Sequence, residues 1–302
     1  MSSSASVYLP YQEQLRPPER RLPAGSVDCH FHVFEDPVKY PYTANRSYTP
    51  TLAPWAAFEA MNNLIGADRA VLVHPSVYGH DHATFVDALI SHPDRLRGVA
   101  VLAPGASDKE IAHLDAIGAR ATRLNVLFAG GAQLADAEDL ARRVAPFGWH
   151  LQFLADVSAN PELPSWAASL DVPVVFDHFG HPSVRDPDDR GFKNLCALVK
   201  EGRAWVKISG AYRVVSPDNR WSAIRPFVDA LLQANPQRLV WGSDWPHPSI
   251  SAPMPDDVDL AEIVLEWLGD EALCHQILVR NPEVLYGFPQ YGSDVRSRTV
   301  RE

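Results

Sequence analysis

Short apolar runs alternate with segments of helical period along most of the chain. The runs are rich in Val, Ile, Leu and Phe, and helices are predicted between them, for example near Pro54–Leu64 and Leu134–Ala145. This alternation is typical of βαβ units around a parallel sheet. Eight runs are candidate strands: Ser26–Phe34, Arg69–Ser76, Leu96–Leu102, Ala121–Val126, His150–Asp156, Val172–His178, Ala204–Gly210 and Arg238–Trp245.

Eight is the number of strands that closes a parallel barrel. The pattern therefore predicts an α/β fold with a single (β/α)8 TIM-type barrel over residues 26–290. Residues 1–25 contain four prolines and predict an irregular N-terminal arm, and residues 291–302 form a C-terminal tail. The connection after the first strand is the longest, and such a connection in a regular barrel is usually functional.

Composition and charge narrow the class of protein. The chain is 46% hydrophobic and 21% charged, as soluble globular proteins are. A net charge of -10 without a dense Lys/Arg run argues against a nucleic-acid partner. We expect no membrane partner and a cytoplasmic location, because no signal-like or spanning apolar stretch is present. The three cysteines are far apart and are expected to be reduced, and no feature indicates an oligomeric state.

Polar side chains stand where the predicted strands end, which is where barrels place catalytic groups. His30 and His32 are two residues apart on the first strand, so both side chains point to the same face. The sixth strand ends in His178 and the eighth reaches Asp244. Converging imidazoles either bind a metal or donate hydrogen bonds to one substrate oxygen, and both interpretations stay open at this point.

Arg123 lies within an apolar run, and a buried guanidinium needs an anion. That anion is either a substrate group or a structural partner, Asp156 or Asp177. Asp177 precedes His178 on a predicted strand and is therefore expected to point away from the site. We interpret His74 as a buried core histidine rather than a ligand.

Six motifs carry a resemblance to a known family. They resemble 2-pyrone-4,6-dicarboxylate lactonases and related lactone hydrolases, within the amidohydrolase 2 type of the amidohydrolase superfamily. The likeness extends from Ser26 to Phe288. The motifs are V-D-C-H-F-H-V-F, V-L-V-H-P-S, R-L-N, F-D-H-F-G-H-P, W-V-K-I-S-G-A-Y-R and W-G-S-D-W-P-H.

The resemblance implies a role for each matching residue. Asp244 matches the general base that activates water, and His30, His32 and His178 match the groups that polarise a lactone carbonyl. Further positions match residues that hold substrate carboxylates and ring oxygens: Tyr48, Ser76, Arg123 and Arg213. Gln152 on the fifth strand and His247, expected at the rim near Asp244, are additional candidates for substrate binding.

One departure from the family pattern concerns the anion-binding positions. Ala129 or a neighbour stands where the dicarboxylate lactonases carry a second arginine shortly after the first. One anionic group would then be held more weakly. This predicts a monocarboxylated, sulfonated or sugar-acid lactone rather than the pyrone dicarboxylate.

Residues on the fourth and fifth strands also indicate whether the site binds a metal. Arg123 and Gln152 stand where a binuclear centre would need ligands, so no such centre is expected. A single zinc ion is the alternative, and its ligands would be His30, His32, His178 and Asp244. We favour a metal-free site and expect no cofactor.

Together these features predict a hydrolase that opens an anionic, carboxylated or sulfonated lactone by water attack, in the catabolism of aromatic or sugar-acid compounds. One alternative is a mononuclear zinc-dependent decarboxylase or C–C hydrolase of the same superfamily. The other is a non-catalytic barrel that binds a small molecule.

Overall fold

The computed structural model of the chain describes residues 8–128, 132–183, 185–215, 220–250 and 253–292. Ala129, the position discussed for a second arginine, lies outside the described residues, as does most of the predicted tail. Within the described part, no helix is long and apolar enough to cross a membrane.

Eight parallel strands pair in chain order, which confirms the predicted (β/α)8 barrel. They are β1 (Val27–Phe31), β2 (Arg69–Val73), β3 (Leu96–Ala100), β4 (Ala119–Asn125), β5 (His150–Leu154), β6 (Val174–Phe176), β7 (Ala204–Lys207) and β8 (Leu239–Val240).

Backbone hydrogen bonds join the segment after β8 to β1 and its end. Asp244 N donates to His30 O at 2.8 Å, and His32 N donates to Trp245 O at 2.8 Å. The first and last sequence motifs therefore lie side by side.

Some strands end earlier than the apolar pattern predicts. β6 stops at Phe176 rather than His178, and β8 stops at Val240 rather than Trp245. His178 and Asp244 have φ angles of 50° and 65°, in the left-handed region that residues with a side chain rarely adopt. The backbone turns sharply at these two residues, two residues after the end of β6 and four after the end of β8.

The described part contains eleven α-helices. They are α1 (Trp55–Ile65), α2 (Ala83–Ser91), α3 (Asp108–Ala116), α4 (Ala137–Val144), α5 (Leu163–Ala167), α6 (Arg190–Lys200), α7 (Ala211–Val214), α8 (Arg220–Ala234), α9 (Asp257–Leu268), α10 (Glu271–His275) and α11 (Asn281–Tyr286).

Two of these helices, α1 and α4, can be compared with the helix boundaries that the sequence predicts. α1 agrees with the prediction to within one residue at each end, and Gly66 ends it with a φ of 95°. The predicted helix over Leu134–Ala145 is shorter than expected. Its first residues form a 3-10 turn, because Gln133 and Asp136 cap that turn reciprocally, and α4 begins only afterwards.

The barrel interior has an apolar floor with a polar layer above it. The floor consists of Val27, Cys29, Val71, Val73, Val99, Ala121, Val175, Trp205, Val240, Tyr286 and Phe288. Side chains two residues further along a strand point to the same side, and Arg123, Asp177 and Lys207 follow the floor residues Ala121, Val175 and Trp205 in this way. We call these three, together with the buried His30 and Gln152, the polar layer.

Gly242, two residues after β8, lies against the backbone of β1. A Cβ atom at this position would lie 2.5 Å from His30 N and 2.7 Å from His30 Cβ. We expect Gly242→Ala to lower the free energy of unfolding by about 3 kcal/mol, because strand backbone must shift to relieve the clash.

Thermal and urea unfolding measure this effect, and Gly148→Ala is the control. Gly148, unlike Gly242, has a positive φ, but no atom lies within 4 Å of a built Cβ there, so only backbone strain of about 1 kcal/mol applies. Equal losses for the two variants would contradict the proposed close approach.

Candidate active site

A pocket opens at the carboxyl ends of the strands. Seven of the residues predicted for the site line it: His32, Tyr48, Ser76, Arg123, His178, Arg213 and Asp244. The lining also includes Asn125, Phe128, Leu154, His181, Pro248 and Ser249, which the sequence did not single out as site residues. His30, Gln152 and His247 are not among these lining residues.

The two oxygens of the Asp244 carboxylate have different surroundings. Oδ2 accepts hydrogen bonds from Arg213 Nε and from the Tyr212 hydroxyl, both at 2.6 Å. Oδ1 instead faces three imidazoles. The Nε2 atoms of His30, His32 and His178 lie 3.7, 3.8 and 3.8 Å from it. One oxygen is therefore committed to the protein and the other faces the histidines.

Charge and burial fix the protonation state of this group. Burial opposes ionisation of Asp244, but the Arg213 guanidinium overcomes that effect and holds the pKa of the carboxyl well below its usual range. Burial also lowers the pKa of His32 and His178 well below the usual histidine value. At neutral pH the site thus combines a carboxylate with neutral imidazoles, each of which carries one ring proton.

Hydrogen bonds on the far side of the rings separate the roles of two of the histidines. His32 Nδ1 lies 2.7 Å from Val73 O, and since a carbonyl only accepts, Nδ1 carries the proton and Nε2 a lone pair. His178 Nδ1 lies 3.0 Å from Ser209 Oγ, a hydroxyl that can donate and leave the proton on Nε2. The expectation that all three imidazoles donate to a carbonyl does not hold for His32, because its proton is used elsewhere.

The two arginines of the pocket are also not equivalent. Arg213 donates to Asp244 through Nε and to Pro248 O at 3.0 Å through a terminal nitrogen. Arg123 donates to His74 O at 3.2 Å, and its Nε has no hydrogen-bond partner among the described residues. A terminal nitrogen of Arg123 is 3.8 Å from Asp177 Oδ2. Arg123 therefore has fewer close hydrogen bonds to the protein than Arg213.

Asp177 corrects one expectation. It points into the barrel rather than away from it, because it follows the inward-facing Val175 by two residues. Its Oδ2 accepts from Gln152 Nε2 at 3.0 Å, so Gln152 is held beneath the pocket instead of contacting it. His178 still reaches the pocket because the left-handed backbone at that residue turns its side chain inward.

Lys207 is a member of the polar layer that the sequence interpretation missed. Its Nζ donates to Cys29 O at 2.9 Å and lies 3.4 Å from both His30 Nδ1 and Asp177 Oδ1. The signal that identified Arg123, a cation within an apolar run, was also present at Lys207.

His247 was expected at the rim but is fully buried. Its Nε2 lies 3.1 Å from Asp257 Oδ1, and its Nδ1 lies 2.8 Å from the Tyr212 hydroxyl oxygen. Tyr212, which was not predicted as a site residue, donates in turn to Asp244. Its pKa is raised well above the usual value by burial and by the neighbouring carboxylate, so the hydroxyl keeps its proton. His247 therefore supports Asp244 through Tyr212.

The donor set also fits a single divalent cation by type and spacing. His30, His32 and Asp244 each offer one ligand atom, and these atoms lie within 4.8 Å of one another. The His30 Nε2 atom has no hydrogen-bond partner in the described part of the chain. His178 Nε2 is close enough to Asp244 to act as a fourth ligand.

The chain matches the amidohydrolase family over residues 27–288. It is 32% identical over 281 residues to 2-pyrone-4,6-dicarboxylate hydrolase from Comamonas testosteroni, covering 89% of this chain and 92% of the relative. It is 33% identical over 275 residues to 4-sulfomuconolactone hydrolase from Rhizobium radiobacter, covering 88% and 91%.

A solved structure is similar in fold. The apo structure of a protein from Agrobacterium tumefaciens superposes with a TM-score of 0.83 at 25% identity, covering 90% of this chain and 99% of that protein. Family match, relatives and barrel agree, and the chain belongs to the amidohydrolase family.

Proposed function

We propose that this protein hydrolyses a small anionic lactone by direct attack of water, with Asp244 as the general base. The observation that carries this proposal is the buried Asp244 carboxylate, which is kept ionised by Arg213 on one oxygen and has the other oxygen facing the histidines. Two relatives support the substrate class, since they are named as hydrolases of 2-pyrone-4,6-dicarboxylate and of 4-sulfomuconolactone.

The attacking water is held by two acceptors in this scheme. Asp244 Oδ1 and His32 Nε2 are 3.8 Å apart, and both can accept a hydrogen bond. A water that donates one proton to each directs its oxygen lone pair towards the bound lactone. Asp244 takes one of these protons as the water oxygen forms its bond to the carbonyl carbon.

His178 stabilises the charge that develops on the carbonyl oxygen. With its Nδ1 accepting from the Ser209 hydroxyl, Nε2 presents an N–H group to the pocket. A neutral imidazole donor preorganised in this way stabilises an oxyanion without having to reorient during the reaction.

Collapse of the tetrahedral intermediate completes the reaction. The bond between the carbonyl carbon and the ring oxygen breaks, and the leaving oxygen takes the proton that Asp244 received. The products are a carboxylic acid and a hydroxyl on one open chain; the acid then releases the second proton of the water to solvent as a carboxylate forms, and Asp244 returns to its ionised state. Tyr212 and Arg213 hold the carboxylate in place throughout, because both are bonded to its other oxygen.

Arg123 supplies the selectivity for an anion. It lines the pocket, is 3% exposed and has an unpartnered Nε among the described residues. A carboxylate or sulfonate on the lactone offers the paired oxygens that a guanidinium binds best. Since Arg213 is committed to Asp244, the site favours substrates with one principal anionic group.

No metal is needed in this scheme, because Asp244 activates the water and His178 meets the developing charge. If a zinc ion is bound, His30, His32, His178 and Asp244 would hold it, and it would supply carbonyl polarisation and a bound water of lowered pKa.

Replacement of Asp244 tests the base. We expect Asp244→Asn to lower kcat for an anionic lactone by about 100-fold or more while the fold survives, since the amide cannot take a proton. Asp229→Asn, at an exposed position of α8, is the control and should keep full activity. Retention of more than about a tenth of the wild-type activity would show that Asp244 is not the base.

Replacement of Arg123 tests anion recognition. Arg123→Met should raise KM for a carboxylated lactone by about 10-fold to 100-fold, because a charge-assisted hydrogen bond is lost. The methyl ester of the same lactone serves as the matched neutral substrate, and its KM should change little. An equal rise for both substrates would mean that Arg123 maintains the pocket rather than binding the anion.

Removal of metals tests the metal-free scheme. We expect exhaustive treatment with a chelator to leave kcat unchanged, and elemental analysis to find well under one zinc per active chain. Activity that disappears with the chelator and returns with zinc would overturn this part of the proposal and favour the zinc-dependent alternatives.

A further inference from the structure

The Lys207 ammonium group lies at the centre of the polar layer, with a fully buried side chain. Three acceptors surround its Nζ atom: Cys29 O at 2.9 Å, His30 Nδ1 at 3.4 Å and Asp177 Oδ1 at 3.4 Å. An ammonium group has three N–H donors and no acceptor, so its two hydrogen-bond partners, Cys29 O and His30 Nδ1, must present lone pairs to it.

Asp177 competes with Lys207 for the same ring atom. Its Oδ1 is 3.3 Å from His30 Nδ1, close enough to accept a proton if Nδ1 carried one. Yet this oxygen makes no hydrogen bond of acceptable geometry within the described part of the chain, whereas the contact between Lys207 and His30 does satisfy that geometry. The placement of these atoms favours an unprotonated His30 Nδ1.

His32 shows the opposite arrangement two residues away. Its Nδ1 donates to Val73 O, which leaves a lone pair on Nε2. A backbone carbonyl or carboxylate on the far nitrogen is how proteins orient an imidazole that binds a metal, whereas an ammonium group there has the reverse effect. The contacts at Nδ1 thus favour opposite tautomers for His30 and His32.

We propose that Lys207 is a positioning residue that fixes His30 as the tautomer with its proton on Nε2. His30 then directs an N–H group towards the space beside Asp244 Oδ1, which lies 3.7 Å from Nε2, where a bound water or substrate oxygen can accept from it. In this tautomer His30 Nε2 has no lone pair to offer a metal ion, so metal binding through that atom would first require the proton to move. The catalytic part of this inference rests on the proposed function, but the tautomer itself does not.

Removal of the ammonium group should reverse the arrangement. In Lys207→Met, His30 Nδ1 no longer has a donor opposite it, and Asp177 Oδ1, 3.3 Å away, remains as a neighbour that can accept a proton from it. The proton then moves to Nδ1, and Nε2 gains a lone pair directed at Asp244. His30 and His32 would together present two imidazole lone pairs beside a carboxylate, which is a set of ligands that zinc prefers.

Nuclear magnetic resonance of the wild-type protein tests the tautomer directly. Long-range 1H–15N correlations in 15N-histidine-labelled protein distinguish the two neutral tautomers, and His30→Gln assigns the His30 signals by their loss. We expect the proton of His30 on Nε2 and that of His32 on Nδ1. A His30 proton on Nδ1 in the wild type would overturn the proposal, and this result requires no variant other than the one used for assignment.

Two variants test the role of Lys207. Lys207→Met should move the His30 proton to Nδ1 and tighten zinc binding, measured by calorimetry, by about 10-fold or more. Asp177→Asn keeps Lys207 and should leave the His30 tautomer as in the wild type. The proposal fails if folded Lys207→Met keeps the wild-type tautomer, or if Asp177→Asn alone changes it.

These readouts separate this inference from the proposed function. If no lactone is hydrolysed but the tautomers are as expected, the proposed function fails and the role of Lys207 stands. If lactones are hydrolysed but the His30 proton is on Nδ1, the role of Lys207 fails and the hydrolase remains.

Discussion

Arg213 binds one oxygen of Asp244 at 2.6 Å and leaves the other facing the histidines, and the chemistry of the pocket depends on this division. A carboxylate buried without a partner would take up a proton and could not act as a base. The guanidinium and the Tyr212 hydroxyl keep it charged and fix its orientation. Because both contact Oδ2, they do not block the oxygen that receives a proton from water.

The other buried charges beneath and around the pocket also bear on what the site can bind. Three buried cations lie here: Arg123, Arg213 and Lys207. They contact two carboxylates, those of Asp177 and Asp244. This network therefore carries one excess positive charge. A substrate that brings one anion neutralises it. The strongly negative surface of the chain, with a net charge of -10, therefore does not oppose binding of an anionic lactone at the barrel mouth.

Sequence periodicity predicted the barrel well because all eight strands are largely buried and most are rich in apolar residues. The site residues on β4 and at the ends of β1, β6 and β8 were predicted to meet because the carboxyl ends of parallel strands form one face.

The directions of individual side chains were harder to predict. Asp177 was placed on the wrong side because alternation fails once the backbone turns left-handed at His178. The burial of His247 and its link to Tyr212 depend on Asp257, which is ten residues away and carries no local signal.

The central claim is that Asp244 activates water and does not itself attack the lactone. Single-turnover hydrolysis in H2 18O, with enzyme in excess over an anionic lactone, distinguishes the two routes most directly. Direct attack predicts one 18O atom in the new product carboxylate in the first turnover. An unlabelled carboxylate, with 18O appearing instead in Asp244 after proteolysis, would show a covalent route through Asp244 and contradict the account.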